Sequence, residues 1–398
     1  MTGPAVTGPF GLGTALAERE QAGLLRNRIA TDGASGGRLR VAGREYLNFS
    51  ANDYLGLADH PAIKTAFNAG IERYGAGSGA SPLVTGYSRA HQQLEETLAE
   101  WLGVEAVLLF NCGFSANQAV LKALLGKEHL LWQDKLNHAS LQEMGSQLPC
   151  KMKRFAHNDM AALERQLEPN RGLIVSEGVF SMDGDQGPWA ELTTLAARSG
   201  NWLMIDDAHG LGVLGAEGRG TLAAQGVPPA SVHIQMGTFG KAHGVAGAFI
   251  GGSRELVEYL VNFARHYVYS THMPAAQACA VSKSIELVRA ADESRAHLGQ
   301  LIARFRQGAK EQGWQLGASD TPIQPLLVGE SSVALQLAER LRERGVWVSA
   351  IRPPTVPVGT ARLRITLSAA HREQDVDRLL DALGVCLAAT TVREVCHG

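Results

Sequence analysis

The 398-residue sequence predicts an α/β protein, with a mainly parallel central sheet flanked by helices, a smaller α+β C-terminal lobe and an N-terminal helical arm. Three observations carry this. From Asn52 to about Arg289, short apolar runs recur, each followed by a polar or glycine-rich break and a helical stretch, the rhythm of strands joined by crossover helices. The runs Val107–Phe110, Leu173–Val175, Trp202–Ile205 and Val232–Met236 stop at Asn111-Cys112-Gly113, at Ser176-Glu177, at Asp206-Asp207 and on the approach to Lys241. Ligands of open α/β sheets bind beyond the carboxyl ends of the strands, so these polar endings predict one site on one edge. After Ser294 the order becomes a long helix, a strand near Pro325–Val328, a helix from Ser332 to Arg344, strands Val346–Ala350 and Ala361–Leu367, and a last helix, which is an α+β pattern.

Along the chain, Gly3, Pro4, Gly8, Pro9, Gly11 and Gly13 make a loose start, and Thr14–Arg28 then has helical apolar spacing through Leu16, Leu24 and Leu25. Residues 1–51 form the expected arm, 52–289 a large domain, 290–390 a small domain and 391–398 a tail. Six arginines of the early region, Arg19, Arg26, Arg28, Arg38, Arg40 and Arg44, could present cations to an anionic substrate, although such runs are usually solvated surface.

Composition excludes several classes. Hydrophobic residues at 45%, charged residues at 19% and a formal charge of −2 describe an ordinary globular protein without general attraction to nucleic acid or anionic membrane. The five cysteines carry no CxxC pair, which argues against a zinc site or disulfides and for a reducing cytoplasm, and no metal is expected. Neither a secretory signal nor a membrane span is legible.

Lys241 lies in Gly237-Thr238-Phe239-Gly240-Lys241-Ala242-His243-Gly244, small residues that let another group approach an amine closely. A Schiff-base lysine needs that setting, with burial or a nearby cation lowering its pKa; a lone lysine is more often surface. The Walker A pattern fails, because Gln235 stands where its first glycine belongs and Ala242 follows the lysine. Gly210-Leu211-Gly212-Val213-Leu214-Gly215 does match GxGxxG, so a nicotinamide dinucleotide site is a rival reading. Against it, Asp206 to His209 intervene after the strand and Ala216-Glu217-Gly218-Arg219-Gly220 replaces a helix.

Asp206 and His209 end an apolar run whose character implies burial, and a buried carboxylate needs a cationic partner such as a protonated ring nitrogen. A capping aspartate in a strand-to-helix turn is the ordinary alternative. Gly113 and Phe114 stand between a strand and a helix expected from Ala116 onward, where free N–H groups can hold a phosphate. His138 could lie against a planar ring, or be merely a satisfied polar residue.

Taken together, Asn48–Leu57, Gly77-Ser78-Gly79, Glu177–Asp185, Asp206-Asp207-Ala208-His209-Gly210 and Thr238-Phe239-Gly240-Lys241 resemble the α-oxoamine synthases, fold-type I enzymes dependent on pyridoxal 5'-phosphate (PLP), over almost the whole chain. Phe155-Ala156-His157-Asn158-Asp159, Tyr269-Ser270-Thr271, Ala350–Pro357 and Ala361–Arg364 are similar to the branch that condenses L-alanine with a pimeloyl thioester on coenzyme A or a carrier protein. The resemblance implies a fold-type I PLP-dependent transferase acting as a homodimer with shared active sites. It implies Lys241 as the Schiff-base lysine, Asp206 on the pyridine nitrogen, His209 on the ring hydroxyl and His138 stacked on the ring. Gly113, Phe114 and Thr238 would take the phosphate, with Ser270 or Thr271 from the other subunit, while Glu177 and Ser181 line the pocket. Arg364 would grip the alanine carboxylate, and Arg26, Asn52 and Thr355 would bind substrate. Cys112, in place of a serine, and His272, in place of a small residue, depart from the pattern and touch only local packing. A sibling synthase using glycine or serine, an aminotransferase, and a non-catalytic α/β module remain alternatives at this level.

Overall fold

The structure is a computed structural model that describes residues 10–34 and 36–388; the expected 391–398 tail lies outside the described residues. Two strands, β1 (Arg38–Val41) and β2 (Arg44–Asn48), form a hairpin before the large sheet begins. The large sheet consists of β3 (Ala106–Phe110), β4 (Leu130–Asp134), β5 (Lys151–Phe155), β6 (Gly172–Glu177), β7 (Trp202–Asp206), β8 (Ile234–Thr238) and β9 (Ala248–Gly252). Their order is β3-β9-β8-β7-β6-β4-β5, and only β9 runs antiparallel to its neighbours.

The apolar runs exist because the parallel strands are buried on both faces. In β4, Leu131 packs into one core with Val120, Leu141 and Leu260, while Leu130 and Trp132 face another with Trp189, Leu192 and Leu195. β6 and β7 alternate likewise, Val175 and Met204 to the first core, Ile174 and Ile205 to the second. Because β3 to β8 are mutually parallel, their carboxyl ends share one edge, as the sequence implied. The edge also receives β4, whose end delivers Asp134 to His138, and β5, which delivers His157.

The C-terminal segment contains β10 (Ile323–Gly329), β11 (Val346–Trp347), β12 (Ser349–Ile351) and β13 (Ala361–Thr366). The single strand expected over Val346–Ala350 is two: β11 pairs parallel with β2, and β12 pairs antiparallel with β13, so the chain passes between sheets at the buried Val348. The N-terminal helix spans Leu12–Gln21 instead of Thr14–Arg28 and buries no residue. It stops because Gly23 adopts φ 66°, and the half-buried Leu24 and Leu25 turn against β12 rather than continuing a helix. No helix among the described residues is long and apolar enough to cross a membrane.

Candidate active site

Two cavities open at the carboxyl edge and share His138, His209 and Lys241 as walls. The inner one, about 160 Å³, also has Asp206, Glu177 and Thr238 on its walls and reaches Gly113 and Phe114; the outer one, about 980 Å³, extends to Arg364, Arg26 and Thr355.

Asp206 is the last residue of β7 and only 4% exposed. Asn117, from the helix Gly113–Leu124, donates to its Oδ2 at 2.7 Å, and the Ala208 N–H donates to its Oδ1 at 3.2 Å. Glu177 ends the neighbouring strand in register with Asp206. Burial and the Asp206 charge hold its carboxyl well above the usual range, and its buried Oε1 has no hydrogen-bond partner among the described residues. Burial lowers the Lys241 amine to about 8, against the opposing pull of Asp206 and Glu177. At about 8 the neutral amine, the state that is a nucleophile and a base, is far more available near neutral pH than in an ordinary lysine.

His209 is held by Tyr54, whose hydroxyl lies 2.5 Å from Nδ1. Burial pushes Tyr54 up to about 12, and burial with the Lys241 and Arg364 charges pushes His209 well below its ordinary value. The hydroxyl also has Asn52 Oδ1 at 3.3 Å; with Tyr54 donating along the shorter contact, Nδ1 accepts and the ring proton of the neutral imidazole falls on Nε2. His138 caps the helix Ala139–Gln147 by accepting at Nδ1 from the Ser140 N–H at 3.2 Å, which also leaves its ring proton on Nε2. Its burial lowers its pKa.

The helix expected from Ala116 begins at Gly113 and has no side-chain cap, so its first N–H groups have no intrahelical partners. A Cβ at Gly113 would stand 3.3 Å from Met236 Cε, so a side chain there would crowd the cleft. Thr238 stands on the same wall; its hydroxyl donates to Gly247 O at 2.8 Å and accepts from the Gly240 N–H at 3.2 Å. An uncapped helix start, a lysine of lowered pKa and a buried carboxylate in one cavity fit a phosphorylated pyridine aldehyde.

Arg364 on β13 is 6% exposed; its Nε donates to Ser181 O at 2.7 Å and its Nη1 to Asn52 Oδ1 at 3.2 Å and Thr366 Oγ1 at 3.1 Å. Arg26 donates to Thr355 Oγ1 at 3.0 Å on the far wall. Ser270 and Thr271 do not line either cavity; the Thr271 carbonyl accepts from Asn111 Nδ2 at 2.8 Å.

Sequence reasoning missed five contributors. Tyr54 and Asn117 stood inside quoted or adjacent motifs, but their contacts with His209 and Asp206 span 155 and 89 residues. The other three form a charged clamp, in which His157 Nδ1 lies 3.1 Å from Asp134 Oδ1 and Nε2 lies 2.7 Å from Asp185 Oδ2. Although burial opposes it, the two carboxylates raise His157 to about 10. Asp134 begins the turn to His138, and Asp185 ends the loop whose Ser181 carbonyl holds Arg364, so His157 ties both walls together. The GxGxxG run forms turns in place of a helix start. A Cβ at Gly210 would meet Asp207 Oδ1 at 2.2 Å, which gives that glycine a packing role beside the buried Asp207.

The sequence matches the family Aminotransferase class I and II over residues 44–383. The chain belongs to that family, and its cofactor is PLP; a solved structure of SPT with PLP aligns at TM-score 0.90 and 26% identity, covering 96% of this chain and 98% of that one. A protein of Aeromonas hydrophila is 90% identical over 96% of each chain, and one of Aeromonas salmonicida is 85% identical over 100% of each; both are 8-amino-7-oxononanoate synthases. Within the wider family, this chain is a member of the 8-amino-7-oxononanoate synthases.

Proposed function

We propose that the chain condenses L-alanine with a pimeloyl thioester, giving 8-amino-7-oxononanoate, carbon dioxide and free thiol, a step of biotin biosynthesis. The observation that carries this reading is the pairing of a low-pKa lysine beside a buried aspartate with an arginine on the adjoining cavity, in a chain 90% identical to an 8-amino-7-oxononanoate synthase.

Bound PLP supplies the electron sink for a carbanion at the amino-acid Cα. The residues of the chain do the rest. Asp206, buried and hydrogen-bonded by Asn117, would hold the pyridine nitrogen of the cofactor. His209 would offer its Nε2–H to the ring oxygen, and His138 would lie against the ring. The uncapped N–H groups at Gly113 and Phe114, with Thr238, would take the phosphate; Glu177 and Ser181 would close the pocket. Lys241 Nζ removes the Cα proton and later returns one, a role worth on the order of 10²–10⁴ in rate for a positioned base. Arg364 forks onto the alanine carboxylate and thereby selects which Cα bond is presented for cleavage. Asn52 orients Arg364 and touches the amino acid, while Arg26 and Thr355 bind the acyl donor.

We further read the protein as a homodimer in the cytoplasm, with 52–289 as the large domain and 290–390 as the small one. Leu83, Val84 and Tyr269 are 52%, 73% and 71% exposed, which supports a covered interface, and Ser270 and Thr271 would then reach the phosphate of the other subunit. Cys112, Cys150 and Cys279 are free thiols, in keeping with a reducing compartment.

The test is addition of L-alanine and then pimeloyl-coenzyme A to the PLP-loaded enzyme. A visible spectral response to alanine followed by stoichiometric thiol release supports the reading. A response to glycine or serine alone would favour a sibling synthase, the reading that likeness to Sphingomonas wittichii serine palmitoyltransferase (TM-score 0.91, 29% identity, covering 97% of this chain and 99% of that one) would otherwise suggest.

A further inference from the structure

The outer cavity carries more positive charge than its amino-acid substrate accounts for. Six Lys and Arg side chains, Arg26, Lys135, Arg154, Lys241, Arg362 and Arg364, line it against one carboxylate, Asp183, in a chain of net charge −2. Arg362 holds that carboxylate at 2.5 Å. Lys241 faces the cofactor cleft, Arg364 is fixed to grip a carboxylate, and Arg26 bonds Thr355.

Lys135 and Arg154 have no ion-pair or side-chain hydrogen-bond partner among the described residues, and both are exposed. Their neighbours are paired: Lys153 reaches Glu168 at 2.8 Å, and His157 sits between Asp134 and Asp185. The two cations come from the edge strand β5 and from the end of its neighbour β4. Arg154 of β5 is in register with Gln133 of β4, and Lys135 directly follows β4, its N–H donating to Phe155 O at 3.1 Å. Both line the outer cavity, where the field of two unpaired cations favours an anion.

We propose that Lys135 and Arg154 form an anion subsite that takes a phosphate of the acyl donor's carrier arm, a chemistry shared by coenzyme A and by the phosphopantetheine of a carrier protein. The proposal rests on the pimeloyl-thioester reading. A thioester places its acyl chain and its carrier arm on opposite sides of the reacting carbonyl. The carrier arm must leave through solvent, because it is tethered to a nucleotide or a protein, and the exposed cations stand where a cavity wall meets solvent. The carrier arm brings a permanent negative charge at each of its phosphates to the solvent end of the cavity, whereas the carboxylate of a pimeloyl chain lies on the other side of the reacting carbonyl.

The experiment compares the PLP-loaded enzyme with Lys135→Ala/Arg154→Ala, using pimeloyl-coenzyme A and pimeloyl-N-acetylcysteamine, which keeps the carboxylate and lacks phosphate. The ratio of kcat/KM for the two donors is expected to fall about tenfold in the variant, and the wild-type preference for the coenzyme A ester to weaken between about 0.05 and 0.5 M salt. A charge-reversed Lys135→Glu/Arg154→Glu protein should lower the ratio further. Pimeloyl carrier protein as a third donor separates the sources: a parallel loss assigns the phosphate common to both arms, and a loss with coenzyme A alone assigns the nucleotide's phosphates. An unchanged ratio in both variants, or equal loss with the phosphate-free donor, overturns the subsite while leaving the pimeloyl reading intact. A wild-type enzyme that releases thiol from no pimeloyl donor overturns both.

Discussion

The Tyr54 hydroxyl lies 2.5 Å from His209 Nδ1, joining the chain's N-terminal region to the residue three positions beyond Asp206. The contact fixes the imidazole tautomer, and Tyr54 is wholly buried.

Tyr54→Phe keeps the packing and removes the donor, leaving a buried acceptor unpaired at a cost of about 1–3 kcal/mol. PLP affinity is expected to fall roughly 5- to 100-fold, and the apo-protein, which carries the same unpaired acceptor, to melt only a few degrees lower. Absorbance titration with PLP measures the first and calorimetry the second; a Tyr54→Phe protein that binds PLP like wild type would deny His209 a fixed tautomer any role in binding.

Capture of PLP by the apo-protein should accelerate with pH and level off above about 8, because only the neutral Lys241 amine attacks an aldehyde and its folded pKa lies there. Stopped-flow absorbance across pH 6 to about 10 reads this directly. A rate still climbing toward the ordinary lysine range would show that the amine is not shifted in solution.

Arg364→Lys retains charge and loses the planar fork, and Asn52 and Ser181 are placed to hold a guanidinium. KM for L-alanine is expected to rise about 10- to 100-fold while PLP affinity holds. Equal effects on alanine and PLP would point to collapse of the wall instead.

His157→Gln leaves Asp134 and Asp185 without their shared cation. The folded pKa of His157, about 10, lies above its unfolded value near 6.5, so the clamp stabilises fully below about pH 6.5 and its contribution disappears as pH rises through about 10. Calorimetry should therefore show the variant melting lower than wild type by roughly 5 °C below pH 6.5, with the gap closing toward pH 10. A gap constant with pH would mean that charge is not what the clamp contributes.

The sequence was readable where burial on both faces forces continuous apolar runs. β3, β6, β7 and β8 were found with ends shifted by a few residues at most, and each delivered the polar group expected of it. β5 was illegible because Lys151, Lys153 and Arg154 are the composition of an edge strand, and β9 because Gly251 and Gly252 close it like a turn. Lys241, Asp206, His209 and Arg364 announced themselves through motifs. The partners that tune them could not, since Asn117, Tyr54 and Asp185 meet their targets only after the sheet brings distant segments together. The overlong N-terminal helix failed for a local reason: Leu24 and Leu25 continue the apolar spacing, and Gly23 ends it.

The route of the chain through the two cavities also sets an order of events in synthesis. Gly113, His138, Asp206 and Lys241 all precede residue 242, whereas Arg362 and Arg364 arrive on β13, among the last described segments. A nascent chain emerging N-terminus first therefore acquires every side chain named here as a cofactor contact from its own subunit more than a hundred residues before it acquires the guanidinium for the amino acid. The residues proposed to hold a reactive aldehyde are thus made before the one proposed to choose what reacts with it, and because β13 shares a core with Phe49, Tyr54 and Phe239 the two groups meet only when the last strand packs.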